Sequence, residues 1–221
     1  MLATLSGIEE MTEDKTKALH NAYARRLEYL DKRIGDTIGT LKSSGMLDNA
    51  TIVVTSDHGQ LFGEHGLLYH AMPPYEGVAK VPLIAANYEN GKMVRERDVV
   101  NAPVSLLSLH KSILDLASGK QERLNGNLRR SRKVFCEHTG ISEGWDEQLL
   151  SMLKGKSSVV ASIYRTKKSY NRKITAVYSG RFKLLHKLSG GKDELYDISA
   201  DPCEQNNIID MNRAKAHELL S

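Results

Sequence analysis

The run Ser56-Asp57-His58-Gly59-Gln60-Leu61-Phe62-Gly63-Glu64-His65-Gly66 sets a carboxylate beside an imidazole and follows them with three glycines. A carboxylate oxygen and an imidazole nitrogen both ligate divalent cations, so Asp57 and His58 are candidate metal ligands. Gly59, Gly63 and Gly66 let the backbone turn tightly and approach a ligand closely. His70 lies on the same loop and on residue chemistry alone reads as an ordinary loop histidine. On residue chemistry alone the pair is a weak signal. Asp57 could equally cap the following turn, and His58 could be a hydrogen-bonded imidazole at a sheet edge. Glu64 and His65 read as supports of the loop, and Glu137-His138 as a surface pair.

These residues need elements to position them. Thr51-Ile52-Val53-Val54-Thr55 is a β-branched run that predicts a buried parallel strand delivering Asp57 and His58 to a sheet edge, where the crevice of an open α/β sheet lies. Met11 to Ser44 predicts a helix, with Leu19, Tyr23, Leu27, Leu30, Ile34, Ile38 and Leu41 as one stripe lying on the sheet. Gly35 and Gly39 inside it imply close contact with a neighbouring backbone, and Gly45 the stop. Val81 to Ala86 is the next buried strand, with Pro82 at its start and a turn over Asn87 to Lys92. A covering helix follows, with Pro103 in its first turn, apolar positions from Leu106 to Leu116, and Gly119 after its end.

Beyond a polar, basic stretch from Lys120 to Lys133 the apolar period becomes two. Val134–Glu137, Val159–Tyr164, Ile174–Tyr178 and Phe182–Leu185 predict an antiparallel sheet, with a tight turn at Ser179-Gly180. Asp201-Pro202-Cys203-Glu204 predicts a helical turn, and Asp210 to Leu220 a last helix. The division expected is 1–127 and 128–221.

With 221 residues, 40% hydrophobic, the chain can build a real core. A net charge of +4 mildly favours anionic substrates. No apolar run approaches the roughly 18 residues that span a bilayer, so no membrane span is expected. Two cysteines and a start without a signal-peptide pattern lean towards the cytoplasm. Arg129, Arg130, Arg132 and Lys133 have no interleaved aromatics to stack bases, so the cluster reads as a solvated linker and no nucleic-acid partner is expected.

Asp57-His58-Gly59, Gly63-Glu64-His65-Gly66-Leu67, His70, Pro74-Tyr75-Glu76 and Val81-Pro82-Leu83-Ile84 together resemble the second metal-binding segment of sulfatases, in the alkaline phosphatase superfamily. Tyr29-Leu30-Asp31 with Ile34-Gly35 upstream, and Glu194-Leu195-Tyr196-Asp197, Asp201-Pro202 and Glu204 downstream, extend the likeness over nearly the whole chain. The fold it implies is α/β: a partial alkaline-phosphatase-like sheet with covering helices, plus a C-terminal α+β subdomain with a small antiparallel sheet.

The resemblance implies a divalent metal, calcium first, with manganese, magnesium or zinc admissible. Asp57 matches a carboxylate ligand, and His58 an adjoining place where relatives carry Asn or His. His70 falls where many sulfatases have a sulfate-contacting Lys and others His, and an imidazolium there would contact an ester oxygen or protonate the leaving group. The activity implied is hydrolysis of sulfate esters, of a small molecule or a sugar. Phosphonate or phosphodiester hydrolysis within the superfamily and a non-catalytic binding or assembly module are the alternatives. The formylglycine motif of the family, Cys/Ser-x-Pro-x-Arg, does not occur, and neither Cys136 nor Cys203 fits it. The expectation is a C-terminal half, inactive alone, that pairs with a separate N-terminal sulfatase segment or self-associates.

Overall fold

The computed structural model describes residues 12–70, 73–94, 99–121, 124, 132–139 and 173–221, with Leu68 and Tyr69 described by their backbone alone. The strand expected over Val159–Tyr164 and Arg129 and Arg130 lie outside these residues. In chain order the elements are α1 (Glu13–Ser43), β1 (Asn49–Thr55), β2 (Leu61–Phe62), β3 (Leu68–Tyr69), α2 (Glu76–Ala79), β4 (Leu83–Glu89), β5 (Lys92–Met93), α3 (Leu107–Ala117), β6 (Val134–His138), β7 (Ile174–Ser179), β8 (Phe182–Lys187), β9 (Glu194–Asp197) and α4 (Arg213–Leu220). They fall into two compact units, one of residues 14–57 and 81–131, the other of 1–13, 58–80 and 132–221. The loop from His58 to Lys80 thus groups with the C-terminal sheet rather than with the other residues before 127.

In the first unit β1 pairs with β4 and β4 with β5, both antiparallel. The parallel pairing expected for Thr51–Thr55 is therefore corrected: a β-branched apolar run suits either ladder, and here β4 folds back along β1 from Asn49↔Glu89 to Thr55↔Leu83. Thr51 Oγ1 donates to Asn87 Oδ1 across the ladder at 2.9 Å. The β4–β5 turn narrows to Asn90-Gly91, whose φ values of 50° and 70° are the left-handed pair that a two-residue hairpin demands.

The helix α1 has the expected bounds but buries none of its residues. Tyr23, Leu27 and Leu30 are 39%, 47% and 52% exposed while Leu19, Ile34, Ile38 and Leu41 are half-buried, so the stripe is covered only in part. Among the described residues nothing comes within 4 Å of where a Cβ on Gly35 or Gly39 would stand, so none of them makes the close contact expected there. α3 begins at Leu107, after Pro103, because Ser105 Oγ accepts the Leu107 N–H. It too leaves Leu107, Ile113 and Leu114 outside.

The second unit is built on the sheet β6-β7-β8-β9, antiparallel throughout. Gly180-Arg181 form its β7–β8 turn, one residue later than expected, between the paired Ser179 and Phe182. Alternation along the strands makes two faces. Val177, Leu184 and Leu195 pack against Ala216 and Leu219 of α4. Val134, Ile174, Ala176, Tyr178, Leu185 and Tyr196 pack on the other side against Tyr75, Leu67 and Ala79 of the His58–Lys80 loop. Where a helical turn was expected, Asp201 opens a turn that does not continue as helix: the Asp201 carbonyl accepts the Glu204 N–H at 3.1 Å, and its carboxylate accepts the backbone N–H groups of Gln205 and Asn206, at 3.1 and 2.8 Å. α4 starts at Arg213, behind a short 3-10 turn over Ile209–Met211. No helix among the described residues is long and apolar enough to cross a membrane.

Candidate functional site

The loop leaves β1 and is closed by its own two arms. Gly59 N–H donates to Val78 O and Gln60 N–H to Gly77 O, both at 2.7 Å. The arms approach so closely that a Cβ on Gly59 would stand 2.1 Å from Gly77 O, and one on Gly77 2.7 Å from Leu61 Cδ2. Between the arms, β2 and β3 pair Leu61 with Tyr69 and Phe62 with Leu68. The tip turns through Gly63, His65 and Gly66, with φ values of 126°, 55° and 68°. Glu64 accepts the Phe62 N–H at 2.5 Å, and His65 stacks on Tyr75 with ring centroids 3.7 Å apart. Burial lowers the His65 pKa, opposed by Glu194 and Glu64, so its imidazole is held neutral.

Pairing of β2 with β3 returns His70 to the start of the loop. The His58 and His70 rings stack with centroids 4.0 Å apart and planes 18° apart. His58 Nδ1 is 2.9 Å from Gly59 O, and a carbonyl only accepts, so Nδ1 carries the proton and Nε2 the lone pair that a cation would meet. His70 Nδ1 is 3.2 Å from Gln60 Oε1. The two sequence-predicted histidines are thus side by side in one unit. Asp57 ends the other unit, exposed just past β1, with Ser56 Oγ 3.3 Å from its Oδ1. Among the described residues no three His, Cys, Asp or Glu side chains gather as a metal cluster. A carboxylate oxygen from Asp57 and an imidazole nitrogen from His58 have the chemistry of divalent-cation ligands.

Beneath the loop lies a polar set to which the sequence reading assigned no role, although Tyr75, Glu76, Glu194, Tyr196 and Glu204 stand in the motifs that carry the resemblance. Glu76 Oε1 accepts from Tyr178 Oη at 2.8 Å and from Lys183 Nζ at 2.9 Å, and the Glu76 N–H donates to Glu204 Oε2 at 2.6 Å. Lys183 Nζ also pairs with Glu204 Oε1 at 2.7 Å. Lys183 is fully buried and Glu204 is 2% exposed. Burial raises the Glu204 carboxyl pKa, with Lys183 opposing. Tyr75 Oη and Tyr196 Oη both donate to Glu194 Oε2, at 2.8 and 2.9 Å, and Lys187 pairs with its other oxygen. Burial alone would raise Glu194, but Lys187 and the two phenols outweigh it and hold the carboxyl below its ordinary range. Burial first, and then the Glu194 carboxylate beside Tyr75 and Tyr196 and the Glu76 carboxylate beside Tyr178, push these three hydroxyls far up.

Comparison with known proteins puts a family to this geometry. The sulfatase family model matches residues 5–120, just over half of the chain. The choline-sulfatase of Rhizobium meliloti is 29% identical over 206 residues, which are 92% of this chain and 36% of that protein. The chain therefore spans about a third of the length of that relative. Among solved structures, BT1596, a 2-O GAG sulfatase, superposes with a TM-score of 0.72 at 19% identity, over 99% of this chain and 44% of its own. The phosphonate monoester hydrolase of Agrobacterium radiobacter superposes with a TM-score of 0.65 at 20% identity, over 96% and 42%. Both share the fold.

Proposed function

The chain belongs to the sulfatase family, and on that premise we propose that it supplies part of a divalent-cation-dependent site for hydrolysing sulfate esters. Asp57 offers a carboxylate oxygen and His58 its Nε2 to the cation, calcium first, with manganese or magnesium as substitutes. The observation that carries this reading is the stack of His58 and His70 at 4.0 Å, which brings a ligand candidate and an acid candidate from opposite ends of one loop to one place.

When bound, the cation stabilises negative charge that develops on the ester oxygens as the S–O bond breaks. The residues of this chain do the rest of what it contributes. The Gly59 carbonyl fixes the His58 ring by holding its Nδ1–H. Gln60 Oε1 accepts from His70 Nδ1–H in the same way, and with Nε2 protonated as well the imidazolium contacts an ester oxygen or gives that second proton to the leaving alcohol. The sulfate ester is of a small molecule or a sugar.

The 221 residues contain no Cys/Ser-x-Pro-x-Arg motif. Turnover accordingly needs a nucleophile from outside these residues, and the occupant of the exposed part of the α1 stripe is the sulfatase segment that carries it. Two measurements test the reading. Calorimetric titration with Ca2+ and Mn2+ should detect binding that Asp57→Asn and His58→Ala each weaken at least tenfold, and unchanged affinity in both variants would refute the ligand assignment. Hydrolysis of an aryl sulfate by the purified chain, free of contaminants, would refute the need for a second segment. Parallel assays with aryl sulfate and aryl phosphonate, on the chain joined to that segment, separate sulfatase from phosphonate hydrolase activity.

A further inference from the structure

We propose that Lys183, Glu204 and Glu76 form a buried ionic clamp through which the C-terminal sheet positions His58 and His70. This rests on the reading of those histidines as the site, but its geometry is independent of any reaction. Strand register explains the clamp's location. Tyr178, Lys183 and Tyr196 are direct neighbours across β7, β8 and β9, so all three project from the face that the loop covers. Lys183 Nζ lies 5.0 Å from the centroid of the Tyr178 ring and reaches both carboxylates.

A buried ammonium set between a buried and a half-buried carboxylate is a poor way to gain stability, because well-packed apolar side chains of similar volume serve as well or better. What ions supply that apolar groups cannot is a defined position for the groups they hold. Glu204 adds a second sign of constraint: it adopts φ 55°, a left-handed conformation that a non-glycine residue takes only when its surroundings dictate it.

The contacts run without a gap to the imidazoles. Glu204 and Lys183 fix both the backbone and the carboxylate of Glu76. Glu76 precedes Gly77, whose carbonyl accepts the Gln60 N–H, and the Gln60 side chain holds His70 against His58. Tyr75, bonded to Glu194, anchors the same arm one residue earlier. Lys183, Glu204 and Glu76 are thus positioning residues, none of them touching the place assigned to substrate.

The test follows the ring-proton resonances of His58 and His70 by NMR in the full chain, at a temperature where each variant retains its sheet circular dichroism. Lys183→Met and Glu204→Gln should move both sets of signals towards those of unstacked histidine. Tyr178→Phe removes one hydrogen bond and keeps the packing, so it should stay folded even where the others do not and show a smaller shift of the same sign. Leu219→Ala, on the opposite face of the sheet, should lower the melting temperature and leave both histidines unmoved. Unchanged histidine signals in a folded Tyr178→Phe or Glu204→Gln, or equal shifts in Leu219→Ala, would overturn the proposal. Neither cation binding nor hydrolysis is read, so failure here leaves the proposed function standing, and failure of that reading leaves the clamp standing.

Discussion

Gly59→Ala isolates the closest approach in the loop. The new methyl would sit 2.1 Å from Gly77 O, 3.0 Å from Gly77 C and 3.3 Å from Val78 Cα, all backbone atoms that cannot swing aside. A carbon meets an oxygen comfortably at about 3.3 Å, so the two arms must part by roughly 1 Å. The two 2.7 Å hydrogen bonds between them would stretch to about 3.7 Å, beyond useful length. Their loss costs about 0.5–1.5 kcal/mol each, and the forced backbone shift about 1–3 kcal/mol more. Restricting the unfolded chain returns only about 0.4–1 kcal/mol. The net expectation is a loss of about 2–5 kcal/mol, or some 5–15 °C in Tm for a chain of this size. Denaturant unfolding followed by circular dichroism measures it, with Gly35→Ala as the control. Gly35 is helical with open space around it, so alanine there should stabilise by about 0.5–1 kcal/mol. If Gly59→Ala proved as stable as the parent, or Gly35→Ala proved equally damaging, the steric reasoning would be wrong.

Lys183→Met strands the buried Glu204 carboxylate and takes one partner from the half-buried Glu76, and should cost about 3–5 kcal/mol at neutral pH. Because burial already raises Glu204 above 4.5, its charge is lost as pH falls towards that value, so the deficit against the parent should shrink on acidification; a pH-independent deficit would contradict this. For the parent the sign is opposite. His65 is held below 6.5 and Glu194 below 4.5, so the unfolded chain binds protons first and stability should fall below pH 6.5 and again below 4.5. His65→Asn, at a φ of 55° that Asn accepts, should flatten the upper part of that decline in thermal melts across pH. Leu27→Glu with Leu30→Glu should abolish association through α1 in sedimentation velocity, and an unchanged profile would remove the stripe from consideration as a docking face.

Much of the fold was legible because periodicity speaks directly about local structure. α1 was placed to within two residues at its start and one at its end, and the strands β6 to β8 appeared where alternation put them. Burial was less legible. The α1 stripe has core spacing, yet Tyr23, Leu27 and Leu30 within it are left exposed. The partner of β1 is 36 residues away at Thr51 and Asn87, and a β-branched run, here only half-buried, does not state its direction. The loop glycines strengthened Asp57 and His58 and the resemblance picked out His70, whereas the contacts that seat the loop did not announce themselves. Lys183 sat in a strand-like run as one polar residue among apolar ones, and its partner Glu76 is 107 residues distant. Glu204 fitted a helix-capping pattern and instead turned inward. Long-range ion pairs leave no periodic trace.

The distance along the chain between the loop and its anchors has a consequence in time. Tyr75 meets Glu194 across 119 residues, and Glu76 meets Glu204 across 128. On a ribosome adding about 5–20 residues per second, the loop waits roughly 6–25 s for the strands that seat it. During that interval the loop lacks the Glu194 and Glu204 anchors, so its seating on the sheet waits for strands made long after the loop itself.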